Sequence, residues 1–340
     1  WRTRARARFF LAHRGVAAGL GRGARASARE MARDVALALA LLVASAGVAH
    51  GMATDLSQVL RVAVEAGRAS SATVRAKLGA EVLKTKASRG DLLTAVDSEV
   101  QTIIEQHVAR AFPTHAFLGE ESVPAGAKAS SDAIAAALSV SASDWLWICD
   151  PIDGTTNFVQ SLPLVGISIG VARRRDDADR SWELACGVIV DPFRDEVFSA
   201  LVGQGATLNE QPIRVGDEPL ADAVVATGFA PNEASLRPMM RGLQAVGGRA
   251  RTVRMLGSAA IMLAWVGCGR LSAYFEADLN AWDTAAGALI VREAGGRVTA
   301  LDGSPHTIAT RPLLASNAAA HAELQHVLET ANVLGLDDVV

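Results

Sequence analysis

Residues 145–158 read Trp-Leu-Trp-Ile-Cys-Asp-Pro-Ile-Asp-Gly-Thr-Thr-Asn-Phe. The first five, Trp145–Cys149, are apolar and uninterrupted, the pattern of a buried strand. The strand ends on Asp150, which puts a carboxylate at its carboxyl edge, the usual crevice for ligands in α/β sheets. Pro151 fixes φ and removes a donor, so a turn is expected that brings Asp153 back toward Asp150. Gly154 allows close approach of the backbone. Thr155 and Thr156 add N–H groups and hydroxyls at a turn or helix start suited to phosphate. Carboxylates forced together repel unless a cation joins them. Oxygen ligands without His or Cys select Mg²⁺, Mn²⁺ or Ca²⁺ over zinc.

Outward from this segment, Val165–Ala172, Ala185–Val190 and Glu196–Ala200 also read as strands, the last two joined by the turn-rich Asp191–Asp195. Helical spacing opens at Leu56, with Val59, Leu60, Ala63 and Val64 following at i+3, i+4, i+7 and i+8. It recurs over Asp97–Ala111, where Asp97 is placed to cap free N–H groups and His107 falls on the apolar side. Ser258–Val266 and Thr284–Glu293 are further helices, the second stopped by Gly295-Gly296. Alternating blocks predict an α/β or α+β fold of helix and sheet layers. Four more acids fall where elements begin or end: Glu120 with Glu121 after Ala116–Leu118, Asp283 after Trp282, and Asp97. Each alone reads as a cap or a solvated turn; with the strand-end pair they form an acidic constellation.

Half of the 340 residues are hydrophobic, a fifth are charged, and the net charge is -3. That balance gives no general attraction to nucleic acid or anionic lipid, and neither partner is expected. Cys149, Cys186 and Cys268 are scattered and read as small buried apolar residues, not a disulfide framework. Residues 1–51 differ from the rest. Residues 1–34 hold nine arginines and no lysine, and Val35–Ala49 is an apolar and small-residue run too short to span a bilayer comfortably. A targeting leader and a non-native extension both fit residues 1–51. The first places the protein in an organelle or the secretory route, the second in the cytoplasm. The catalytic domain is expected over 52–340, with sub-domains of about 52–205 and 206–340.

LGEES (118–122), WICDPIDGTTNFVQSLPLVGISIGVA (147–172), VIVDPFRDEVFSA (188–200) and RMLGSAAIMLAWVGCGRLSAYFEADLNAWDTAAGALIVREAGGRV (254–298) occur in that order. Together they resemble the inositol monophosphatase family, from about Met52 to about Leu328. The resemblance implies that family's sugar-phosphatase fold, hydrolysis of inositol monophosphate, two or three Mg²⁺ ions, lithium sensitivity and a homodimer. It implies metal ligands at Glu120, Asp150, Asp153, Asp283 and the carbonyl of Ile152. A nucleophilic water falls to Thr155 and Glu120, with Asp97 behind Thr155. Phosphate falls to the backbone of Gly154 and Thr155, and substrate hydroxyls to Asp153, Ala259 and Glu276. Lys86 matches a lysine in the family's N-terminal metal loop. Alternatives are phosphatases of the same family acting on histidinol phosphate, nucleotide bisphosphates or sugar phosphates. A role in binding RNA or transcription machinery is an alternative of another class.

Overall fold

The computed structural model describes residues 55–85, 92–229 and 233–334. Residues 1–51 and Lys86 lie outside them. Helix α1 (Leu56–Ala76) buries Val59, Val62, Ala63, Ala66 and Val74 along one face. Strands β1 (Val82–Thr85) and β2 (Leu92–Thr94) pair antiparallel and lead into α2 (Ala95–Ala111). Strand β3 (Ala116–Gly119) runs into a 3-10 turn at Glu120–Ser122, and α3 (Ala127–Val140) leads to β4 (Trp145–Asp153). The short α4 (Thr155–Val159) precedes β5 (Gly166–Arg174), β6 (Trp182–Asp191), β7 (Glu196–Leu201), β8 (Gly205–Leu208) and β9 (Gln211–Ile213). Then come β10 (Val224–Thr227), α5 (Glu233–Gly247), β11 (Thr252–Arg254), α6 (Ala259–Gly267) and β12 (Ala273–Glu276). The described chain closes with α7 (Ala281–Glu293), β13 (Arg297–Thr299), β14 (Leu313–Ser316) and α8 (Ala318–Thr330).

Strands β3 to β9 form a seven-stranded sheet in chain order, antiparallel except for the parallel β3–β4 pair. A second sheet has the order β11-β10-β12-β14-β13. Period-two alternation sorts the side chains. On β4, Trp147 and Cys149 join a core with Val59, Ala63 and Ile104 of α1 and α2. Leu146 and Ile148 face the other way, into a core with Ile261, Ala285 and Leu289 of α6 and α7. The second sheet repeats the rule. Tyr274 and Ala315 share the α6–α7 core, whereas Phe275 and Leu314 pack with Met239, Leu324 and Leu328 of α5 and α8. The result is five alternating layers, helix–sheet–helix–sheet–helix. The middle helix layer packs closely on the first sheet. A Cβ on Gly170 would lie 2.6 Å from Ala285 Cβ, and one on Gly187 2.5 Å from Ala286 O. Glycines on the sheet and alanines on α7 therefore let that helix seat directly on β5 and β6.

Several expectations shift. Asp97 is not the residue that opens its helix. Thr94 is the N-cap, and Asp97 reaches back from the third helical position in a capping box. Likewise α7 begins at Ala281, ahead of Asp283. His107 is half-buried, its Nδ1 2.8 Å from Ile103 O. Cys149 and Cys186 are buried and Cys268 half-buried, all three free. Strands β8 and β9 extend the first sheet to Ile213, and the second sheet takes up at Val224. Among the described residues no helix is long and apolar enough to cross a membrane.

Candidate active site

Strand β4 does not break at Pro151 but continues to Asp153. Asp150 pairs with Ser168 and Asp153 with Gly166, so three steps on β4 stand against two on β5. That extra residue is a bulge. In a regular strand, side chains three apart point to opposite faces. The bulge corrects the parity and brings both carboxylates to one side. The Asp150 carboxylate is braced by the Ile152 N–H, which donates to its Oδ1 at 2.9 Å.

Asp283 arrives from the facing helix layer. Its Oδ2 accepts the Asn280 N–H at 2.7 Å in the capping box of α7, and the Ser168 hydroxyl donates to Trp282 O at 2.8 Å, tying the helix start to β5. Ligand oxygens of Asp150, Asp153 and Asp283 lie within 4.8 Å of one another, two of these residues buried and the third partly so. Glu120, on the 3-10 turn after β3, is outside that triplet yet close enough for its charge to act on both Asp153 and Asp283. Burial, opposed by hydrogen bonds from Ser258 and Ala260, pushes the Asp153 carboxyl up to about 6. Burial, with the charges of Asp153 and Glu120, holds Asp283 well above the ordinary carboxylate range. Packed carboxylates whose remaining oxygens point together are stabilised by a hard divalent cation, and this all-oxygen donor set fits one.

The surrounding groups are fixed by local structure. The Asp153 Oδ2 accepts the Ser258 hydroxyl and the Ala260 N–H, the latter at 2.7 Å, at the start of α6. Gly154 takes φ 98° and heads α4; a Cβ there would stand 2.9 Å from Gly257 O. Thr155 Oγ1 donates to Ile152 O at 3.1 Å and lies 3.5 Å from Asp97 Oδ1, whose other oxygen accepts the Thr94 N–H at 2.8 Å. Ala259 is the first residue of α6. Glu276 ends β12, and its carboxyl is pushed up to about 7 by burial, against the Tyr274 hydroxyl that donates to it. The structure thus gathers Asp97, Glu120, Asp150, Ile152, Asp153, Gly154, Thr155, Ala259, Glu276 and Asp283 around adjoining element ends. Lys86 falls outside the described residues.

Sequence reasoning missed Ser258 and Gln101 as supports. Ser258 is legible as a helix cap, and nothing local says that its hydroxyl also serves Asp153. Gln101 lies four residues after Asp97 on the same helix face and reaches the Glu120 turn.

The profile of the inositol monophosphatase family matches residues 55–332. The inositol-1-monophosphatase of Synechocystis sp. is 37% identical over 288 residues, 81% of this chain and 90% of that relative. A protein named Nus factor SuhB, from Xylella fastidiosa, is 37% identical over 219 residues, 64% of this chain and 72% of its own length. The solved inositol monophosphatase of Anabaena superposes with a TM-score of 0.67 at 33% identity, over 83% of this chain and 99% of that one. Motifs, layers and the acidic triplet therefore agree with one origin, and the chain belongs to the inositol monophosphatase family.

Proposed function

We propose that the protein hydrolyses inositol monophosphate to inositol and phosphate with Mg²⁺ held in the acidic site. The observation that carries this reading is the convergence of Asp150, Asp153 and Asp283 within 4.8 Å, on elements locked by bulge, cap and close packing. Glu120 and the Ile152 carbonyl complete the proposed donor set, with Lys86 an accessory. When bound, Mg²⁺ supplies Lewis-acid stabilisation of the phosphoryl oxygens and a lowered pKa for water.

The chain's own groups supply orientation. Thr155 has one hydroxyl proton, and the two protein atoms near it, Ile152 O and Asp97 Oδ1, are acceptors. Its lone pairs are left to accept a hydrogen bond from the attacking water, whose proton passes to the Glu120 carboxylate. Asp97 is held by Thr94 and fixes the threonine rotamer. N–H groups at Gly154 and Thr155 receive the phosphate. Asp153, Ala259 and Glu276 receive hydroxyls of the alcohol. Two sub-domains, one about each sheet, and a homodimer belong to the same reading, supported by the family.

Full-length protein assayed against inositol 1-phosphate, histidinol phosphate, a nucleotide bisphosphate and fructose 1,6-bisphosphate tests the reading. The expected result is Mg²⁺-dependent hydrolysis led by inositol 1-phosphate and inhibited by lithium and by excess Mg²⁺. Full hydrolysis in a chelator overturns the metal assignment. The relative named as a Nus factor supports a second reading, a binding role in transcription. Phosphate-backbone binding falls steeply with salt, whereas metal-dependent turnover persists.

A further inference from the structure

Glu276 sits at the wall of the acidic site, 7% exposed, within electrostatic reach of Asp153 and Asp283. Residues 274 and 276 share a sheet face because side chains alternate along a strand. The buried Tyr274 hydroxyl uses this placement to donate to Glu276 Oε2 at 2.7 Å. Its ring has room because both cross-strand partners, Ala226 on β10 and Ala315 on β14, are small. On the other side a Cβ at Gly228 would stand 2.3 Å from the same Oε2 and 3.3 Å from Oε1. The carboxylate is therefore held between a hydroxyl donor and a bare backbone, while Oε1 takes no hydrogen bond among the described residues. A buried carboxylate with one oxygen satisfied and the other open needs a further donor. An alcohol hydroxyl can supply it, whereas a phosphate oxygen or an aromatic edge cannot.

We propose that Tyr274 and Gly228 are positioning residues for substrate selection. They aim Oε1 of Glu276 at a hydroxyl of the alcohol, so that phosphate esters of uncharged polyols are preferred over esters lacking hydroxyls or carrying a second phosphate there. The proposal rests on Glu276 being a substrate contact. Its test compares kcat/KM on inositol 1-phosphate and on p-nitrophenyl phosphate for full-length wild type, Y274F, G228A and E276A, with melting temperatures recorded. Y274F keeps the ring and loses only the donor. G228A pushes the carboxylate sterically and gives an independent reading should Y274F fold poorly.

For both Y274F and G228A, the loss on inositol 1-phosphate is expected to exceed that on p-nitrophenyl phosphate by about tenfold. That is the weight of one hydrogen bond to a charged group. It should appear mainly in KM, as expected for lost substrate binding. Equal losses on both substrates, or none, overturn the proposal and leave Tyr274 a packing residue. A drop in the ratio for E276A but not for Y274F or G228A refutes the positioning role alone. An unchanged ratio for E276A refutes Glu276 as a substrate contact, and the proposal with it.

Discussion

The backbone N–H of Glu121 donates to Oε1 of Gln101 at 3.0 Å, so a side chain of α2 holds the turn that presents Glu120. The same amide donates from Nε2 to the Ser122 hydroxyl at 2.9 Å, and Gln101 is buried. A single glutamine thus holds the turn just after a proposed ligand without touching the site itself.

Replacing Gln101 by leucine removes its bonds to the Glu121 N–H and the Ser122 hydroxyl in a partly buried turn, a cost of about 1–3 kcal/mol for the two. Q101L is expected to lower stability by that order and to raise the Mg²⁺ concentration giving half-maximal activity several-fold. Urea unfolding and a Mg²⁺ titration check the two effects. A variant with lowered stability and an unmoved Mg²⁺ requirement contradicts the link to Glu120.

Asp153→Asn removes one charge from three carboxylates whose oxygens lie within 4.8 Å. At about 4 kcal/mol per unit-charge pair at 4 Å and an effective dielectric of 20, most of one metal contact is lost. The rate is expected to fall at least about a hundredfold, each 1.36 kcal/mol being tenfold. Relief of like-charge repulsion should leave the melting temperature in chelator equal or higher, and the shift on adding Mg²⁺ smaller. Hydrolysis near the wild-type rate makes Asp153 a structural residue of the β4 bulge only.

Gly154→Ala combines a left-handed φ of 98° with a Cβ 2.9 Å from Gly257 O. Left-handed backbone costs a residue with a side chain roughly 1–2 kcal/mol. Moving the carbonyl of Gly257 also disturbs Ser258, which holds Asp153. Chemical denaturation should show at least that loss, together with a fall in kcat. Wild-type values for both quantities contradict the assigned backbone fit.

His306 is 5% exposed with neither ring nitrogen hydrogen-bonded among the described residues. Burial, with a smaller contribution from Arg292, lowers its pKa from 6.5 to about 3. The folded value lies below the unfolded one, so the contribution of neutral His306 is complete above about pH 6.5 and is lost as pH falls toward 3. Linkage puts the loss at about 2 kcal/mol by pH 5. His306→Phe should match or exceed wild type at pH 7.5 and lead by a further margin of about 2 kcal/mol at pH 5. Urea unfolding at the two pH values decides it, and a constant difference contradicts the buried neutral imidazole.

A chain of residues 52–340 should retain turnover, since every family motif follows Met52 and the compact unit begins at Leu56. Expression of both lengths with one phosphate assay settles this. A folded but inactive short form, beside an active full chain, shows a catalytic need for residues 1–51.

Much of this protein is legible in its sequence because the determining interactions are local. The uninterrupted apolar run Trp145–Cys149 and the helical spacing over Asp97–Ala111 reflect local patterning within a few residues, and they predict β4 and α2. The helix stop at Gly295 is of the same kind; its φ is 87°. Asp150 and Asp153 stand out because two acids beside a proline and a glycine suit no ordinary strand end. What only the tertiary structure decided is where such groups meet. The bulge that turns both aspartates to one side is a property of β4 pairing with β5, and it replaced the turn expected at Pro151. Asp283 joins them because glycines on β5 and β6 let α7 approach the sheet, a contact across more than a hundred residues of chain. Ser258 on Asp153, Gln101 under Glu120 and Tyr274 on Glu276 likewise depend on packing. Periodicity marks which face a side chain takes, but the partner across that face is set by how separate elements fit together.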